Sequence, residues 1–115
     1  MFLTFPGIET YCDGRQDGAQ CYGALGGTVV LRLMDSASEI FKYDWIKNKT
    51  QIFFGGKNRK LFNLIKDRSS FTPSDGTFRI NSLSRTDGGE YTLRVFDING
   101  RLSEQRTLQL MIQGK

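Results

Sequence analysis

The chain contains no histidine, two cysteines without metal-ligand spacing to other donors, and no apolar run of membrane-spanning length. Each absence removes a class of function. Without imidazole there is no histidine base and no ordinary zinc or haem site, so no metal and no other cofactor is expected. Carboxylates such as Asp87 and Glu90 could pair for acid–base chemistry, but Asp87 has a structural assignment below, and no enzyme is expected. The longest apolar stretches, Thr28–Leu31 and Gln51–Phe54, fall far short of the roughly 20 residues that cross a bilayer. The opening MFLTFPG has neither a basic segment nor an apolar segment long enough for a secretory signal, and it reads as a processed or recombinant start. Positive charge is not concentrated either. Sixteen Lys and Arg against twelve Asp and Glu leave +4, scattered along the chain. With no basic stripe and no nucleic-acid motif, nucleic acid is not an expected partner.

What is present is alternation. One domain fits in 115 residues, with no room for a second. In TVVLRL, Val29, Leu31 and Leu33 alternate with Val30 and Arg32, as in a strand with one buried face. FKYDWIK repeats the pattern, with Phe41, Tyr43 and Trp45 on one face and Lys42, Asp44 and Ile46 on the other. QIFF and LFNLI read as two short strands joined by GGKNRK. SSFTPSDGTFRINSL reads as a hairpin with Phe78, Ile80 and Leu83 inward and a slip after Asn81. EYTLRVF and RTLQLMI follow, joined around Asn99-Gly100, the expected two-residue hairpin turn. No helical periodicity longer than a turn and no internal repeat competes. Eight or nine short strands make a β-sandwich.

The run SRTDGGEYTLRV specifies which sandwich. Asp-x-Gly-x-Tyr opens the sixth strand of an immunoglobulin domain, and the position two beyond the tyrosine normally holds one half of the inter-sheet disulfide. Here that position is Leu93, Leu33 holds the matching position on the second strand, and Trp45 supplies the aromatic plug of the third. The segment between Trp45 and Arg68 has room for the extra strands C′ and C″ of a variable-type domain. The expected fold is therefore all-β, an immunoglobulin-like β-sandwich of the V-set lacking the inter-sheet disulfide. Residues 20–113 form the domain, 1–19 an N-terminal arm and 114–115 the start of a linker. Arg68 and Asp87 are expected to form a structural ion pair, and Tyr91 to be the tyrosine-corner residue.

GALGGTVVLRL, YDWIK, DRSSF and TDGGEYTLRVFDINGR together resemble the membrane-distal variable-type domain of SLAM-type lymphocyte adhesion receptors, over roughly Gln20 to Ile112. The resemblance implies a distal domain that dispenses with the inter-sheet disulfide. Two facing leucines can replace it, since each contributes about 1.5–3 kcal/mol on burial. It also implies a place on the extracellular face of the plasma membrane and a protein partner on another cell, with the same chain as a possible partner in a homodimer. Membrane attachment is expected only through a segment outside these 115 residues. Cys12 and Cys21 depart from the pattern. Their spacing permits a local disulfide in a secreted protein, with free thiols as the alternative.

Domains of this type bind through the sheet of strands G, F, C, C′ and C″. With Trp45, Tyr91, Leu93 and Val95 inward, Lys42, Asp44, Ile46, Thr92, Arg94 and Phe96 point out. Phe96 matches an exposed aromatic that anchors ligands in the resembled family. Ile46, Phe54, Phe96 and Ile98, bordered by Lys42, Asp44, Arg94 and Lys57, compose an apolar centre with a charged rim. Asn48-Lys49-Thr50 is a glycosylation sequon between C and C′. Two other readings share the fold: an intracellular immunoglobulin domain of a filament-associated protein, and a viral mimic of the receptor.

Overall fold

The computed structural model describes residues 7–114, so the expectations for residues 1–6 and for Lys115 lie outside the described residues. Among the described residues ten strands form: β1 (Glu9–Asp13), β2 (Ala19–Ala24), β3 (Thr28–Arg32), β4 (Lys42–Lys47), β5 (Thr50–Gly55), β6 (Phe62–Asn63), β7 (Ser69–Thr72), β8 (Thr77–Ile80), β9 (Gly89–Phe96) and β10 (Leu102–Gln113). One sheet has the order β1-β3-β8-β7 and the other the order β2-β10-β9-β4-β5-β6. β5 and β6 extend the larger sheet beyond β4, as C′ and C″ do in variable-type domains.

The core lies where the alternating patterns face one another. Val29, Leu31, Phe78 and Ile80 of the smaller sheet meet Trp45, Phe53, Tyr91, Leu93, Leu108 and Leu110 of the larger. The Trp45 ring stacks on Tyr91 at 5.2 Å between centroids. Leu33, one residue past β3, and Leu93 are both buried in this cluster. The slip after Asn81 occurs at Ser82, whose φ of 51° turns Leu83 back into the core.

The N-terminal segment differs from expectation. Residues 9–13 are not an arm ahead of the domain, because β1 pairs in parallel with β3 from Glu9↔Thr28 to Asp13↔Arg32. β2 pairs in parallel with β10 in the other sheet. Cys12 and Cys21 are joined in a disulfide, and since β1 and β2 belong to different sheets the bond links the two sheets after all. It does so at the edge of the sandwich, beside the Thr10 hydroxyl that donates to the Tyr22 carbonyl at 2.9 Å, and not at the leucine-filled centre. The expectation of sheets without a covalent link is corrected accordingly. Replacing both cysteines by serine should lower stability by about 2.7 kcal/mol, the loop-entropy value for a closed loop of about ten residues. The drop in urea midpoint at constant m-value measures it.

The turns also redistribute. Asn48 and Lys49, at φ 49° and 66°, form the two-residue hairpin turn between β4 and β5, since two positive φ values match the right-handed twist of paired strands. At Asn99-Gly100 only the glycine has positive φ. That loop spans more residues, closed by Gly100 N–H to Asp97 C=O at 2.9 Å and Asp97 N–H to Arg101 C=O at 2.9 Å. Lys49 bears a Cβ in the left-handed region, so Lys49→Gly should stabilise the domain by about 1 kcal/mol. The expected rise in Tm is about 4 °C.

Candidate functional site

The outer face of the six-stranded sheet is set by register. Lys42 lies opposite Phe96, Asp44 opposite Arg94 and Ile46 opposite Thr92 across β4 and β9. On the other side of β4, Asp44 lies opposite Phe54 and Ile46 opposite Gln51, with a bulge between, and Phe54 lies opposite Phe62. The predicted site residues Lys42, Asp44, Ile46, Phe54, Arg94 and Phe96 thus share one surface. Ile98 stands 78% exposed beyond it, in the loop between β9 and β10.

Two of these residues are not as free as alternation implies. Asp44 points outward yet is only 1% exposed. Arg94 covers it, donating from Nε at 2.9 Å and from a terminal nitrogen at 2.6 Å, and the Gln51 amide adds a third bond at 3.1 Å. The hydrogen bonds to Asp44 push the Arg94 guanidinium above its ordinary range, against a smaller opposing effect of burial. Asp44 is therefore not a rim charge but the buried half of an ion pair that neutralises the centre of the face. Phe96 is half-buried, with the Lys42 ammonium 4.8 Å and the Arg94 guanidinium 5.4 Å from its ring centroid. Long cationic side chains lie readily over an aromatic face.

Apolar exposure concentrates toward β6. Phe54 and Phe62 stack at 5.1 Å between centroids, 37% and 47% exposed, and Leu64 continues the strip at 53%. Phe62 and Leu64 were not among the predicted site residues. The alternation in LFNLI was the available signal, since Leu61 and Ile65 pack against the core and leave Phe62 and Leu64 to face out. Lys57 is held by Glu39 at 2.6 Å. At the opposite end of the face, an open hollow of about 590 Å³ is walled by Ile46, Asn48, Lys49, Gln51, Glu90, Thr92, Arg94 and Gln105.

Below β9 the strand is anchored at its start. The Arg68 guanidinium donates twice to the Asp87 carboxylate, at 2.8 and 2.5 Å, and the Ser84 amide donates to it at 2.8 Å. The Tyr91 hydroxyl donates to the Asp87 carbonyl at 2.5 Å. Burial by itself would raise the Asp87 carboxyl, but the bonds from Arg68 and Ser84 outweigh it and hold the group below the usual carboxylate range. Burial first, and then the Asp87 charge, push the Tyr91 phenol well above its ordinary value.

No protein-family model and no curated protein matches the sequence. Solved structures do match in shape. The first Ig-like domain of human CD48 antigen superposes with a TM-score of 0.71 at 19% identity, over 87% of this chain and 85% of that one. CD84, described for SLAM family function, gives 0.68 at 14% identity over 86% of this chain and 100% of that one. The extracellular domains of the voltage-gated sodium channel β4 subunit give 0.62 at 19% identity, over 86% of this chain and 88% of that one. At identities this low the likeness is one of fold, and the chain is an immunoglobulin-like β-sandwich.

Proposed function

We propose that this chain is the extracellular, variable-type recognition domain of a SLAM-type adhesion or immune receptor, binding a protein on an apposed cell, either its own kind or another. The contact surface is the outer face of the six-stranded sheet. The observation that carries this reading is the exposed Phe54–Phe62 stack beside a self-neutralised Asp44–Arg94 pair. Covering an apolar centre beside a charge pair that is already neutralised avoids burying Asp44 or Arg94 as a lone ion. The fold likeness supports it, since the β4 subunit structures are parallel homodimers said to explain a role in cell–cell adhesion. The Cys12–Cys21 disulfide favours an oxidising compartment over the intracellular filament reading. A small flat face offsets little more than the entropy of association, so each contact is weak and adhesion rests on many copies.

Mixed aggregation of cells displaying the domain on one or both populations tests this. Phe54→Arg should abolish aggregation, whereas Ser70→Arg, exposed on the smaller sheet, should leave it intact. Aggregation that survives Phe54→Arg, or is lost equally with Ser70→Arg, refutes the assigned face.

A further inference from the structure

We propose that the domain binds its own carbohydrate: an N-linked glycan on Asn48 folds back into the hollow beside it, and the partner is thereby confined to the other end of the face. The inference rests on the extracellular reading above, and not on any identity of the partner. Asn48 begins an Asn-Lys-Thr sequon and is exposed. It occupies the exposed two-residue turn between β4 and β5, with both φ values positive. In the secretory pathway its amide nitrogen would bond to the anomeric carbon of an oligosaccharide carried on a lipid diphosphate. The diphosphate leaves and the amide loses one proton.

Asn48 is itself a wall of the hollow, so the first sugar starts at its edge. At about 590 Å³ the hollow is an open groove, wide enough to lay a sugar along and not an enclosed pocket. Its chemistry suits a sugar. Among the described residues, the side chains of Glu90, Thr92 and Gln105 form no hydrogen bond to protein, and they offer a carboxylate, a hydroxyl and an amide to hydroxyl groups and an N-acetyl group. Ile46 supplies an apolar contact for the C–H face of a pyranose ring. Phe54 lies four residues along β5 from Thr50, a rise of about 13 Å, so the Phe54, Phe62 and Phe96 end stays open while Ile46 is covered.

The chain secreted from mammalian cells behind a supplied signal sequence provides the test. Intact mass should show a glycan on the wild type and none on Thr50→Ala. Carbodiimide-driven amidation of the exposed Glu90 carboxylate, followed by peptide mass spectrometry, should be several-fold slower in the glycosylated chain than in Thr50→Ala. Glu39, at the far end, should react equally in both. Trimming the glycan to a single N-acetylglucosamine should keep most of the protection. An unmodified Asn48, equal labelling of Glu90 in the two proteins, or protection lost on trimming would each overturn the proposal. Aggregation enters none of these readouts, so failure of the adhesion reading and failure of this one are separately visible.

Discussion

Asp87→Ala is expected to cost about 3 kcal/mol of stability, the low end for breaking a buried ion pair. The carboxylate is 5% exposed and accepts two bonds from Arg68 and one from the Ser84 amide. Alanine leaves that amide and the guanidinium without their acceptor. Because the Arg68 side chain is 34% exposed, water recovers part of its solvation, which places the effect at the low end. Tyr91 keeps its acceptor in this variant, because its hydroxyl is held by the backbone carbonyl of residue 87, so the loss is confined to the carboxylate's own partners. The pH dependence has a definite sign. Asp87 has a folded-state pKa below its ordinary value, so its contribution is present above the unfolded value of about 3.9 and is lost as pH falls through the lower folded value. Wild-type stability should therefore drop more steeply below about pH 4 than that of Asp87→Ala. Urea titrations at pH 7 and pH 3 measure both effects, and equal midpoints at pH 7 would show that the corner does not support the fold.

Phe96→Ala should weaken each single-domain contact by at least about thirtyfold, the equivalent of a 2 kcal/mol interface anchor. The ring faces outward opposite Lys42, outside the core cluster, so the sandwich gains little from an aromatic there. What the fold does lose is the contact with Lys42 and Arg94, and stability should fall by about 1 kcal/mol. A partner must displace or share those two cations to reach the ring, which lies on β9 beside the ion pair and across β4 from the apolar strip. Binding is read by the aggregation assay and by the concentration dependence of soluble domain captured on displaying cells. Global unfolding of the variant, or undiminished adhesion, would remove Phe96 from the interface.

Much of the fold was legible because alternation is local. The inward sets Val29 and Leu31, Tyr43 and Trp45, Phe78 and Ile80, and Tyr91 and Leu93 all lie in the core, and the Asp-x-Gly-x-Tyr run anticipated both the Arg68–Asp87 pair and the Tyr91 bond. The candidate face was legible for the same reason, up to which side chains share it. Their exposure was not. Asp44 and Phe96 have the outward parity of surface residues, yet Arg94 and Lys42 lie over them, and side-chain reach across strands has no period in one dimension. The sequence by itself determined the strand faces, the leucine-filled centre and the corner at Asp87, since each depends on residues a few positions apart or on a motif. Only the tertiary structure decided that residues 9–13 run parallel to β3, that the Cys12–Cys21 bond joins the two sheets, and that Asn48-Lys49 and not Asn99-Gly100 makes the two-residue turn. Those outcomes turn on which distant edges meet and in what register, and that choice comes from burial summed over the whole sandwich, which no local window contains.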